Sequence, residues 1–154
     1  MSKKEKTKRV LFSILYWVSA CTWGLPATLV GLLVTGFAIL IGGKPHKNGC
    51  SYIVEIGEYW GGLELGPVAL RGRLDDMPWY TDHINKHEFG HGVQFMYMGM
   101  FALFIVWIPS VIWYWYHILG NPKHEYDWMW FEGNATRTGT KVINWLKGIP
   151  NDKK

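Results

Sequence analysis

Two long stretches without a charged residue constrain the fold of this chain most strongly. Residues 10–42 and residues 92–119 contain no Asp, Glu, Lys or Arg, and His117 is their one histidine. Each stretch is longer than the roughly 20 apolar residues with which an α-helix crosses a bilayer. Aromatic residues typical of membrane interfaces are abundant, with Trp 10 and Tyr 8. We therefore expect an integral membrane helical protein, the alternative being two buried core helices.

The basic residues flank these apolar stretches. Five of them lie in residues 1–9, and others follow residue 120. Basic flanks favour the cytoplasmic side of a membrane, so the N-terminus is expected to be cytoplasmic. The formal net charge of +4 comes without the aromatic and basic strand pattern of nucleic-acid-binding domains, so we expect no nucleic-acid partner.

The pattern indicates a single membrane domain over residues 1–154, with four segments. They are a basic tail (1–9), a membrane anchor (10–42), an extended insert (43–82) and a helical unit (83–147). As one helix the anchor would be about 50 Å long, against an apolar core of about 30 Å. Gly24 and Pro26 predict a kinked span, or a helix followed by a re-entrant piece.

The insert and the last unit have recognisable internal boundaries. Residues 51–56 predict a strand, and residues 61–70 a second one, which gives a small β-hairpin-like insert. Thr81 or Asp82 is the expected N-cap of a helix that runs to about residue 99. An apolar return helix over residues 101–119, kinked at its proline, and a last helix over about 126–146 complete the unit.

The two cysteines contribute little to the functional interpretation. Cys21 lies in the first apolar stretch and Cys50 in the insert, and we expect no disulfide between them. Residues 18–21 resemble a lipoprotein cleavage site, but the chain stays apolar for about twenty residues afterwards. We therefore expect an uncleaved anchor and a mature chain that begins near Met1.

An H-E-x-x-H motif at residues 87–91 carries the chemistry. On a helix, His87 and His91 lie one turn apart on one face, so both imidazoles can bind a single Zn²⁺. Glu88 is then placed to deprotonate a metal-bound water, as the catalytic base of a zinc hydrolase.

A catalytic zinc site needs a third protein ligand. Among the downstream carboxylates, which include Glu125 and Asp152, Glu132 is favoured. Small residues at positions 135, 136 and 139 would let its helix approach the motif helix closely. Asp127 and His124 remain alternatives. The side chains expected to support the ligands by hydrogen bonds are His83, Gln94 and Asn134.

A site that joins His91 to Glu132 imposes a condition on the chain between them. A single membrane crossing over residues 101–119 would put the two residues on opposite sides. The site can therefore close only if residues 83–119 form a hairpin that turns near Gly99.

Three parts of the chain together resemble a pattern found in a family of small bacterial membrane proteins of uncharacterised function. They are His-Glu-Phe-Gly-His-Gly-Val-Gln, the later Ile-Pro-Ser, and Phe-Glu-Gly-Asn-Ala. That pattern is H-E-[YF]-G-H-x-x-Q, an apolar stretch with G-x-P-S, and E-x-x-A-[ND]. More broadly, the motif with a downstream glutamate is similar to zincin peptidases. The resemblance implies a metallopeptidase in a bacterial inner membrane. Two departures are Thr136, where Asn or Asp is usual, and Trp107, where glycine is usual nearby.

These observations favour a zinc-dependent membrane metallopeptidase that cleaves a peptide or membrane-protein substrate at or near the membrane surface. The first alternative is a small, non-catalytic membrane adaptor with a structural or vestigial metal site. The second is a haem protein that uses His91 and His117 as axial ligands.

Overall fold

The structure, a computed structural model, describes residues 2–120 and 122–150. Met1 and Asp152, which enter the sequence interpretation, lie outside these ranges. The described chain is mainly helical, with five α-helices and one four-stranded sheet. The helical architecture with a small β insert is therefore confirmed.

The first apolar stretch forms two helices rather than one. Helix α1 spans Lys3–Cys21 and α2 spans Leu25–Leu40, and they meet at an angle of 92°. Pro26 lies in the first turn of α2, where proline is tolerated because backbone N–H groups in that turn have no acceptor within the helix. The hydroxyl of Thr28 donates to the carbonyl of Ala20 at 2.8 Å and fixes the bend.

The insert is a mixed sheet, not a plain hairpin. Its strands are β1 (Lys44–Asn48), β2 (Ser51–Glu58), β3 (Gly62–Leu65) and β4 (Val68–Arg73), in the order β1-β2-β4-β3. β2 and β4 are parallel, and the two outer pairs are antiparallel. The single strand predicted over residues 61–70 is divided by a tight turn at Gly66, whose φ is 68°. β1 was not expected, because its polar sequence lacks apolar alternation.

The motif helix α3 spans Pro78–Met98, and its N-cap is Met77. The N-cap predicted at Thr81 or Asp82 is therefore wrong. Pro78, at the first position of the helix, supplies the required φ and sets the earlier start. α3 ends at Gly99, whose φ of 56° reverses the chain. The backbone N–H of Met100 then donates to the carbonyl of Trp23 at 3.0 Å.

Beyond Gly99 the chain returns in irregular helical form. A 3-10 turn over Gly99–Phe101 and a π-helix over Leu103–Trp107 lead into α4 (Ile108–Leu119). This segment bends by 117° from the motif helix. A 3-10 turn at Tyr126–Trp128 precedes α5, which spans Trp130–Lys147 and so begins later than expected.

Helix α5 packs closely on α3 through small residues. A Cβ on Gly139 would overlap the backbone of Lys86, and a Cβ on Gly90 would overlap the carbonyl of Ala135. The small-residue contact expected at positions 135 and 139 is therefore confirmed. On the other side of α3, Tyr16 of α1 stacks on Phe89 with ring centroids 5.8 Å apart. The motif helix is thus held between the N-terminal and C-terminal helices.

Across residues 2–120 and 122–150, no helix taken alone combines the length and the apolar character that a membrane crossing requires. Two bent pairs meet those criteria when each pair is taken together. They are α1 with α2, and α3 with the helical segment that follows it.

Candidate metal centre

Three ligand atoms converge between α3 and α5. The Nε2 atom of His87 lies 3.0 Å from Oε2 of Glu132, and Nε2 of His91 lies 3.2 Å from the same oxygen. The two Nε2 atoms are 3.1 Å apart. All three side chains are buried, Glu132 completely. This buried group could hold a metal ion.

A polar chain behind His87 fixes the state of its ring. The hydroxyl of Thr136 donates to Oδ1 of Asp127 at 3.1 Å. The same hydroxyl oxygen lies 2.8 Å from Nδ1 of His87, so it accepts the Nδ1–H hydrogen. Because the proton of a neutral ring is then on Nδ1, Nε2 presents its lone pair to the site. Thr136, which departs from the resembled pattern, keeps a supporting role through Asp127.

Gln94 fixes the ring of His91 in the same way. Its Nε2 donates to the carbonyl of Phe131 at 2.8 Å and to Oδ1 of Asn134 at 3.1 Å. Its Oε1 must therefore face Nδ1 of His91, 2.8 Å away, and accept the hydrogen there. Gln94 and Asn134 thus support the ligands, as the sequence suggested.

The donor set is suited to a cation. Two imidazole lone pairs and one carboxylate oxygen lie close enough together to bind one ion, and both ring protons point away from the site. A proton or a metal ion among them would offset the repulsion between these groups. The Oε1 atom of Glu132 is also buried without a hydrogen-bond partner among the described residues, which a metal ion would explain.

The charge state of Glu132 suits this role. Burial opposes its ionisation, but when no metal ion is bound a proton held on either Nε2 lets His87 and His91 outweigh burial and hold the pKa of this carboxyl well below its ordinary value. Glu132 therefore remains a carboxylate at neutral pH. Its position in the first turn of α5 adds a small favourable interaction with the helix dipole.

Glu88 lies on the side of α3 that faces the sheet. Its carboxylate rests against β3 at Gly62, where a Cβ would overlap it. It is 4 % exposed, and it forms part of the wall of a cavity together with His87 and His91. A carboxylate beside the ligands, but outside the ligand triangle, is the arrangement needed for a base.

Tyr126 is a site residue that the sequence interpretation treated only as the start of a helix. Its ring lies 6.0 Å from that of His87, and its hydroxyl interacts with Ser110 and Glu132. Burial raises the pKa of the Tyr126 phenol well above its ordinary value, and the Glu132 carboxylate adds to the rise. The phenol therefore keeps its proton and can donate it as a hydrogen bond in the cavity.

Other candidates lie outside the ligand triangle. His83 stacks on His87 with centroids 6.4 Å apart, so it contacts a ligand without joining the group. Asp127 bonds Thr136, and His124 stacks on Trp128, so neither alternative third ligand takes that position. His117 bonds the carbonyl of His124 at 3.1 Å, away from His91.

Comparison of the chain with protein-family models, with curated proteins and with solved structures finds no match.

Proposed function

We propose that the chain is a zinc-dependent membrane peptidase that hydrolyses a peptide bond at or near the membrane surface. The observation that carries the proposal is the convergence of two histidines and one glutamate beside a cavity that also contains Glu88. Catalytic zinc sites in hydrolases use three such protein ligands and keep a fourth position open. In a tetrahedral zinc shell, ligand atoms stand about 3.4 Å apart, and the observed triangle is only slightly smaller.

Each residue of the site would have a separate role in the reaction. Bound zinc would activate water and polarise the scissile carbonyl. Glu88 accepts the proton of the attacking water and later returns it to the leaving amine. Tyr126 donates a hydrogen bond to the oxygen that becomes negative in the transition state. Thr136 and Gln94 keep the two imidazoles in the tautomer that this chemistry needs.

The sheet supports a peptide as the substrate. β3 is an edge strand, and Gly62, Leu63 and Glu64 line the cavity. The backbone N–H of Gly72 donates to the carbonyl of Gly61, which shows which residues of β3 hydrogen-bond to β4. Hydrogen-bonded residues alternate along an antiparallel pair, so the backbone groups of Gly62 and Glu64 point away from β4. An extended substrate could pair with this edge next to the Glu88 carboxylate, which lies against Gly62 and the backbone of Glu64.

The apolar surface supports a membrane location. Large apolar side chains of α1, α2 and α4 are exposed, among them Leu33 at 75 %, Leu40 at 84 % and Ile112 at 65 %. So many exposed large apolar side chains on three helices are typical of a surface covered by lipid or by another protein. The basic start of α1 favours an N-terminus on the cytoplasmic side of a bacterial inner membrane.

The test compares wild-type protein in lipid nanodiscs with Glu88→Gln. Both are expected to contain zinc, because Glu88 is not a ligand. Peptide hydrolysis, measured by mass spectrometry of a mixed peptide pool, should be at least about a hundredfold slower in Glu88→Gln. Glu58→Gln, at an exposed carboxylate on β2, is the matched control. Zinc-loaded wild type that cleaves nothing would contradict the proposal and favour the adaptor alternative.

A further inference from the structure

The cavity beside Glu88 has two branches with different chemistry. One branch has a volume of about 180 Å³, and the other about 470 Å³. They share the side chains of His87, Glu88 and Tyr126 in their walls. A chain that lies across the proposed catalytic residues would therefore place opposite sides of the scissile bond in two different environments.

The smaller branch is lined mainly by apolar and aromatic side chains. Its wall includes Trp60, Leu63, Phe95, Trp107, Val111 and Trp115, together with Glu64. The π-helix before α4 contributes to this wall, because its wider turn places Val106 and Trp107 on the face that α4 continues. An apolar cavity of about 150 Å³ is large enough to bind benzene. This branch can therefore accommodate one large apolar side chain.

The larger branch is more acidic than the smaller one. The described residues that line it include Glu125, Asp127 and three histidines, His83, His87 and His117, beside the apolar Ile84 and Ile118, but no Lys or Arg. Asp127 bonds Thr136, and Glu88 contributes a third carboxylate at the junction. The carboxylates of Glu125 and Asp127 give this branch negative charge, which favours a cationic group.

We propose that the substrate changes from apolar to basic across the scissile bond. This inference rests on the proposed peptidase function and names its substrate class. A large apolar residue occupies the branch at Trp107 and Val111. A Lys or Arg occupies the branch at Glu125 and Asp127. Such a junction occurs where a membrane helix ends on its basic side, which agrees with cleavage at the membrane surface.

The test measures binding and cleavage separately. Peptides of Gly and Ser that contain one Leu–Lys or Lys–Leu pair are compared with matched peptides in which Ser replaces Leu or Glu replaces Lys. Binding is measured by fluorescence anisotropy on zinc-loaded Glu88→Gln in nanodiscs. Replacing Leu should weaken binding about tenfold or more. Replacing Lys should weaken it several-fold, and this effect should shrink in high salt.

Variants in each branch test which residues cause the preference for Leu and the preference for Lys. Val111→Trp should fill the apolar branch and remove the preference for Leu, whereas Val30→Trp, on an exposed face of α2, should leave it intact. Glu125→Gln should reduce the preference for Lys, with Glu58→Gln as its control. Retained zinc content in each variant excludes a collapse of the metal centre.

The outcomes separate this inference from the function on which it rests. If wild type cleaves the six peptides at equal rates and Glu88→Gln binds them equally, the substrate class is wrong and the peptidase function stands. If the variant binds with the expected preference but wild type cleaves none of them, the substrate class holds and the hydrolytic function is wrong.

Discussion

The Nε2 atom of His87 lies 3.0 Å from Oε2 of Glu132, although an entire apolar return segment separates the two residues in sequence. The reversal at Gly99 makes this contact possible. A straight helix through residues 78–119 would carry Glu132 far from the motif. The hairpin and the candidate metal centre are therefore one structural feature.

The role of Tyr126 can be tested by removing only its hydroxyl. Tyr126→Phe should lower kcat for peptide hydrolysis by about a hundredfold, because a donor to the developing oxyanion is lost. The KM for the same peptide should change little. Zinc content is the control and should match wild type. An unchanged kcat would show that the phenol does not act on the transition state.

The polar chain behind His87 can be tested through metal affinity. Thr136→Val removes the acceptor for Nδ1–H, so we expect zinc to bind about 10- to 100-fold more weakly. Asp127→Asn should have a smaller effect in the same direction. Thr138→Val, on the same helix, is the matched control. Competition with a fluorescent chelator measures the affinity, and equal values for Thr136→Val and its control would refute the role of the chain.

The close packing of α5 on α3 can be tested by adding one methyl group. Gly139→Ala should lower the free energy of unfolding by about 1–3 kcal/mol, because the added Cβ would overlap the backbone of Lys86. It should also weaken zinc binding by displacing Glu132. Gly36→Ala is the control, since nothing lies within 4 Å of its Cβ. It should be neutral or stabilising by up to about 1 kcal/mol. Equal melting temperatures for the two variants would contradict the packing.

Glu64 gives a prediction about pH. Burial raises the pKa of this carboxyl well above its ordinary value, and the nearby Glu88 adds to the rise. The folded state therefore holds a proton that the unfolded state releases above a pH of about 4.3. The stability of wild type should fall as pH rises from there towards the folded pKa. Glu64→Gln does not titrate, so its stability relative to wild type should increase from pH 5 to pH 8. A difference that is constant across this range would show that Glu64 is ionised in the fold.

Much of the site was predictable because it depends on local spacing. The i and i+4 positions of His87 and His91 place them on one helix face, and the small residues around Ala135 indicate a close helix contact. These two features favour Glu132 over Asp127 and His124 as the third member of the group, and the structure brings Glu132 to the two histidines. The need for a reversal near Gly99 follows from the same three residues.

The remaining features depend on contacts between residues far apart in sequence. Nothing local links Thr136 to Asp127 and His87, or places Tyr126 beside Glu132. The polar strand β1 forms because β2 offers an edge, and its own residues carry no apolar alternation. The early start of α3 at Pro78 was missed because the polar residues Thr81 and Asp82 matched the cap pattern better.

The central claim is that His87, His91 and Glu132 together bind one zinc ion, and metal analysis of purified protein tests it most directly. Wild type and Glu58→Gln should each contain about one Zn²⁺ per chain after removal of loosely bound metal. Glu88→Gln should contain the same amount. His87→Ala, His91→Ala and Glu132→Gln should each contain close to none, with helical content preserved by circular dichroism. Full zinc occupancy in folded Glu132→Gln, or none in wild type supplied with zinc, would contradict the account.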